Sequence, residues 1–394
     1  MSEIKTGIWR ATLEIQGHEL PFNFELINTK GGGYHAYILN AEERLRLDDV
    51  TVTDDSIDLP LHIFDANIKA KILSDGQSLS GSFIKNDVDD YVIPFRAEYN
   101  QAFRFKRDST DETVEDFNGK YEVTFFDSQD TSKAIGVFKQ NGDTVIGTFL
   151  TPTGDYRYLE GNVVNGKMQL STFDGNHAYL FTATKDADGN LTGDYLSGKN
   201  YKATWTGVKN ENFSLPDAGS LTYLKPGFEK IELKFPDVNG NLISLSDEKY
   251  RNKVVILQLF GTWCPNCMDE TRFLAPWYEK NKDRGVEVIG LAFEKKDDFD
   301  YASKRVKNMI EKLDVSYDFV IAGTSDKGQA SQALPMLNKV AAFPTTIFIG
   351  KDGKVKSIHT GFSGPGTGIY YDQFVQHFNE KVNELLNDNL SLNK

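Results

Sequence analysis

Cysteine is nearly absent from this chain. There are two in 394 residues, Cys264 and Cys267. A tetrahedral structural zinc site needs four ligands, and no second cysteine pair exists to complete one. The six histidines (His18, His35, His62, His177, His359 and His377) show no paired ligand spacing, so no metal is expected. Positive charge is also in short supply: 44 Lys and Arg against 57 Asp and Glu give a net charge of −13. That argues against nucleic-acid binding, which needs basic patches. No run of 18 apolar residues occurs, so no transmembrane helix is expected. The opening Met1-Ser2-Glu3-Ile4-Lys5 does not read as a signal peptide.

The two cysteines that are present sit three apart, in Gly261-Thr262-Trp263-Cys264-Pro265-Asn266-Cys267. The apolar run Val254–Phe260 precedes them and a helical pattern follows. A Cys-x-x-Cys between a strand and a helix is the layout of a dithiol/disulfide redox centre. Pro265 suits the first helical position, where its missing N–H costs nothing. That puts Cys264 at the helix N-terminus, where unpaired N–H groups and the helix dipole favour a thiolate. Cys264 is therefore the expected nucleophile, and Cys267, one turn on, the resolving thiol. Trp263 would shield the pair and offer partners an apolar surface.

Three other readings compete. Half a zinc site lacks its other half. A structural disulfide closing so short a loop would constrain little. A peroxidatic cysteine would want a Thr three residues earlier in a Pro-containing loop, and Gly261 stands there instead.

The remainder of the C-terminal region alternates. Met268–Lys282 reads as a helix with Phe273, Leu274, Trp277 and Tyr278 on its apolar face, and Val286–Phe293 as a buried strand. Asp297–Leu313 is helical in pattern, Asp318–Ala322 extended, and Gln329–Val340 a helix broken around Pro335. Thr345–Ile349 and Val355–His359 flank the turn Gly350-Lys351-Asp352-Gly353, and Tyr371–Leu386 closes as an amphipathic helix. The order β-α-β-α-β-α-β-β-α implies a central sheet with helices on both faces.

These features resemble the TlpA/ResA-like family, bacterial extracytoplasmic thiol-disulfide oxidoreductases of thioredoxin fold, over residues 226–390. Phe235–Ser246 is similar to the hairpin that precedes the core in that family. Val254–Cys267 looks like its strand and active-site loop, and Phe343-Pro344-Thr345-Thr346 like its cis-proline loop. The resemblance implies that Pro344 is cis, beside the dithiol, where with Phe343, Trp263 and Pro265 it would meet substrate; an ordinary trans turn is the alternative. Glu270 stands where the family often carries an acidic residue near the active site. It would tune the thiols and move protons, or it is a helix-surface carboxylate in the first turns, stabilised by the dipole. One departure concerns position 258. Thioredoxin itself has a buried Asp six residues before the first cysteine; here that residue is Gln258, which cannot titrate. Another is Pro265-Asn266 between the cysteines, so the potential cannot be transferred from a relative.

The N-terminal half is of another kind. From Thr6 to about Lys209 it alternates short aromatic and β-branched runs with Gly, Asn and Asp, as in an antiparallel barrel or sandwich. It reads as a duplication: Gly7-Ile8-Trp9 corresponds to Gly119-Lys120-Tyr121, and Phe64-Asp65-Ala66-Asn67 to Phe173-Asp174-Gly175-Asn176, at offsets near 110. The acidic stretch Asp108–Asp116 would connect the copies.

The fold class expected is thus multidomain: β unit 1 at 1–107, β unit 2 at 117–210, and an α/β thioredoxin-like domain at 226–394. The function expected is reduction of protein or small-molecule disulfides outside the cytoplasm, with no cofactor beyond the Cys264–Cys267 pair and a membrane electron donor upstream. On this reading the chain is a mature segment whose leader has been removed; a native start at Met1 would make it cytoplasmic. The alternatives are a β-rich ligand- or partner-binding protein regulated by its redox domain, and a thiol peroxidase.

Overall fold

The structure, a computed structural model, describes residues 4–106, 114–128 and 130–388. Of the connector read at Asp108–Asp116, residues 108–113 lie outside the described residues. The chain divides into two compact units. One holds Met1–Thr151 and Tyr156–Leu215, the other Pro152–Asp155 and Pro216–Lys394.

The first unit is all β. Eight antiparallel strands between Gly7 and Tyr99 form a closed barrel, in which Gly7–Ile15 pairs with both His18–Asn28 and Val92–Tyr99. A second sheet runs from Gly119 to Lys209, and pairing of Thr131–Asn141 with Thr144–Thr151 closes it into a ring. Alternation builds these strands: Gly7–Ile15 buries Trp9, Ala11, Leu13 and Ile15 and leaves the residues between them less covered. Side chains of period two on one face of a closing sheet fill its interior. Large side chains occupy both interiors. Trp9, Phe22, Phe24, Phe83 and Phe95 are buried in the first ring, and Phe125, Phe138, Phe149, Phe181 and Trp205 form the core of the second. Each such aromatic contributes roughly 1.5–3 kcal/mol by leaving water.

Charge is buried here too, always with a partner. Arg104 is 2% exposed. It donates to the Asn40 Oδ1 and Ser171 Oγ atoms and pairs with Glu160 at 3.0 Å. Arg157 pairs with Glu43 and lies 3.4 Å from Asp174. Asp174, from the second Phe-Asp-x-Asn segment, accepts from the backbone N–H groups of Asn176 and His177, which is Asx-turn chemistry.

The second unit contains a five-stranded sheet. In chain order its elements are β1 (Val254–Phe260), α1 (Pro265–Asn281), β2 (Val286–Glu294), α2 (Phe299–Leu313), β3 (Asp318–Thr324), α3 (Lys327–Ala333), β4 (Thr345–Ile349), β5 (Val355–Thr360) and α4 (Ile369–Asn387). The strands lie in the order β3-β2-β1-β4-β5. β1, β2 and β3 are parallel, and β4 runs antiparallel to both of its neighbours. Every residue of β1 and β2 is buried, so both faces of the sheet's centre are covered, as the unbroken apolar runs require. The hairpin Lys234–Pro236 with Leu242–Ser244 precedes the sheet.

The first helix starts at Pro265 with Cys264 as its N-cap, as the place of that proline implies. One expectation needs correction. The segment read as a broken helix over Gln329–Val340 is helical only over Lys327–Ala333. It stops two residues before Pro335, whose ring disfavours helical geometry in the residue before it. No helix among the described residues is long and apolar enough to cross a membrane.

Candidate functional site

β1 ends at Phe260, and the chain turns through Gly261-Thr262-Trp263 into α1. Only glycine fits the first of these positions. A Cβ at Gly261 would lie 2.1 Å from the Trp263 Nε1 atom and 2.7 Å from the Phe293 carbonyl oxygen. That close approach accounts for the glycine where a peroxidatic loop would carry Thr. The turn is pinned by a buried carboxylate from the end of β2. Glu294 accepts from the Thr262 backbone N–H and from the Thr262 hydroxyl, each at 2.8 Å. Trp263 donates its indole N–H to the Phe293 carbonyl at 2.8 Å. Its ring meets Phe343 edge-on, with centroids 5.8 Å apart, and carries the Lys295 ammonium 4.3 Å from a ring centroid.

Cys264 and Cys267 are joined by a disulfide. Cys264 caps α1, its sulfur accepting from the Cys267 backbone N–H at 3.2 Å, with Pro265 at the first helical position. The two sulfurs differ in access: Cys264 is 6% exposed and Cys267 is fully buried. An incoming group can reach only the first, which also sits in the field of the helix N-terminus. Phe343–Pro344 is a cis bond, and the Phe343 carbonyl oxygen lies 3.7 Å from the Cys264 sulfur. The structure thus brings Trp263, Pro265, Phe343 and Pro344 together at the disulfide.

Glu270 is one turn beyond Cys267 and fully buried. The reading of a solvent-facing helix carboxylate does not hold. Its Oε1 atom lies 2.5 Å from the Thr346 hydroxyl, and its Oε2 accepts from the Gln258 amide at 2.9 Å. Burial pushes its pKa up to about 7, and the two hydrogen bonds offset only part of that rise. A carboxyl group poised near neutrality can take or give a proton without a large penalty. Gln258, read as the loss of an acid, occupies the same buried pocket as a donor to that acid. Sequence reasoning missed Glu294, Thr346 and the role of Gln258, because each acts across the sheet rather than along the chain. Among the described residues no cluster of His, Cys, Asp and Glu could hold a metal ion.

Strand order, helix placement, the dithiol at a helix N-terminus and a cis-proline loop beside it define a thioredoxin-fold domain. A family model and curated relatives match this region by sequence. Residues 226–358 match the model of the AhpC/TSA family. A thiol-disulfide oxidoreductase ResA of Bacillus cereus is 36% identical over 120 residues, which cover 30% of this chain and 60% of the relative. ResA of Bacillus subtilis is 30% identical over 125 residues, covering 32% and 62% respectively. The match therefore spans about three fifths of the length of these curated relatives. Among solved structures, a thioredoxin family thiol:disulfide interchange protein from Chlorobium tepidum covers 40% of this chain at 19% identity, with 95% of its own length matched and a TM-score of 0.31. The resemblance to ResA-like proteins read from the sequence is borne out for the C-terminal domain.

Proposed function

We propose that this chain is a thiol-disulfide oxidoreductase that reduces protein disulfides outside the cytoplasm. The observation that carries the reading is the unequal pair: an accessible sulfur at a helix N-cap, bonded to a fully buried one. In the reduced protein the Cys264 thiolate attacks a substrate disulfide. A Cys264–substrate S–S bond forms, the substrate S–S bond breaks, and one substrate thiolate leaves. Cys267 then loses its proton and attacks the Cys264 sulfur. The intramolecular disulfide closes, the mixed disulfide breaks, and the second substrate sulfur leaves with the bonding pair. Two electrons have passed to the substrate, and no cofactor beyond the dithiol takes part. An upstream donor, membrane-bound on this reading, re-reduces the pair. Glu270 accepts and returns the Cys267 proton. Trp263 and Phe343 line the approach to Cys264, and the cis-Pro344 loop offers backbone groups to an extended peptide.

The test is the equilibrium reduction potential of the Cys264–Cys267 pair in thiol/disulfide buffers. A value near or below about −270 mV supports a reductase, and one near about −120 mV makes the protein a disulfide donor. A Cys267→Ser variant is expected to accumulate the mixed disulfide, detected by mass, and Cys264→Ser to form none. A pair without a reversible couple would move the reading to the β half as a binding module. The large side chains inside both β rings speak against a ligand held there. The similarity to the AhpC/TSA family keeps thiol peroxidase as a second reading; rapid consumption of hydrogen peroxide by the reduced protein would favour it.

A further inference from the structure

Behind the disulfide a single amide organises the buried polar groups. Gln258 lies on β1, opposite Thr346 of β4 in the ladder. Its Nε2 atom is 2.9 Å from the Glu270 Oε2 and 3.1 Å from the Thr271 hydroxyl. Its Oε1 accepts from the Tyr317 hydroxyl at 3.3 Å. The ionised Glu270 carboxylate can only accept, so it orients the amide with N–H towards Glu270 and oxygen towards the Tyr317 hydroxyl. A proton on Glu270 Oε2 would then face another proton. On Oε1 it faces the Thr346 hydroxyl at 2.5 Å, a group that both donates and accepts.

We propose that Gln258 is a positioning residue for Glu270: it holds Oε2 as an acceptor and confines the exchangeable proton to Oε1, against Thr346. This rests on the thiol-disulfide reading above. In the resolving step the proton leaves Cys267 and is taken up at Glu270 Oε1. The electron pair left on the Cys267 sulfur forms the bond to Cys264, while the Cys264–substrate bond breaks and its pair stays on the departing thiolate. The titratable groups around Glu270 are Cys267 on its own helix and Tyr317 beside β3, whose own pKa is raised by burial and by the Glu270 charge. β1 and β4 present to it only the neutral Gln258 and Thr346. The position held by an acid in thioredoxin thus serves an acid that has moved to the helix.

The experiment follows the rate at which the reduced protein closes its disulfide on glutathione disulfide, as a function of pH. The wild-type profile is expected to inflect near pH 7, and Glu270→Gln to lose that inflection. Gln258→Met keeps the length but removes the donor. A carboxylate with one donor fewer is harder to ionise, so the inflection should rise by about one pH unit. Gln258→Asn, too short to reach Oε2, should give the same shift and guards against misfolding of the first variant. If both variants keep the wild-type inflection and merely slow the reaction equally at every pH, the proposal is overturned. If wild-type protein does not close its disulfide at all, the oxidoreductase reading itself fails and takes this proposal with it.

Discussion

Both compact units bury carboxylates beside cations, as the redox unit does with Glu287 and Lys253 at 2.5 Å, but Glu270 is buried beside neutral partners. In the β unit, Arg104 meets Glu160, and Arg157 meets Glu43 and Asp174. In the redox unit, Glu270 is fully buried and, among the described residues, meets only neutral donors. Charges removed from water are tolerated when paired and hydrogen-bonded, and such pairs hold architecture in place. A carboxylate buried without a cation shifts its pKa instead, at a cost to stability whenever it ionises. Burial of charge alone therefore does not mark a reactive site. Burial without a counter-charge, beside a disulfide, does.

The comparison can be broken first in the β unit. Arg104→Met removes a buried guanidinium from Glu160, which is itself a quarter exposed, and from the buried Asn40 and Ser171 oxygens; it should destabilise that unit by about 3 kcal/mol, read as a fall in the denaturant midpoint of its unfolding transition. An unchanged midpoint would mean that the pairing is ornamental.

The redox unit should respond with the other sign. Glu270 has a folded pKa of about 7 against an ordinary 4.5. Between these values the native state binds more protons than the unfolded one, so stability falls as pH rises through the window. Glu270→Gln should leave stability unchanged at pH 4 and raise it by about 3 kcal/mol at pH 8.5. Urea unfolding at the two pH values measures the difference. A variant less stable than wild type at pH 8.5 would place Glu270 with the structural charges of the β unit.

Smaller effects sharpen the contrast. Thr262→Val withdraws a hydroxyl from the Glu294 carboxylate and should cost about 1.5–3 kcal/mol. The measured potential of the disulfide should shift with it if the turn positions Cys264. Lys295→Ala removes a cation over an indole face, worth about 0.5–1 kcal/mol at an exposed site; a matching small change in thermal midpoint would check it.

Legibility differed along the chain for physical reasons. The redox site's covalent part was readable because strand, turn, N-cap and dithiol are adjacent: seven residues of buried strand, a close-packed glycine and a proline at the first helical position each follow local rules. The β half was readable in class, since alternation and turn residues repeat. The circuit around Glu270 was not, because its donors come from β1 and β4, 12 and 76 residues away. The clamp of Glu294 on Thr262 spans 32 residues, and the Arg104–Glu160 pair spans 56. No periodicity reports such distances.

The sequence by itself determined the order of elements in the redox domain, the dithiol and its place at a helix N-terminus. Those depend on side-chain period, capping and chain stiffness over a few residues. Only the tertiary structure decided that Glu270 is buried without a cation, that Gln258 is its donor rather than a lost acid, and that Glu294 fixes the turn before Cys264. Desolvation and hydrogen-bond partners are properties of a packed environment, and that environment exists only once β1, β2 and β4 lie side by side.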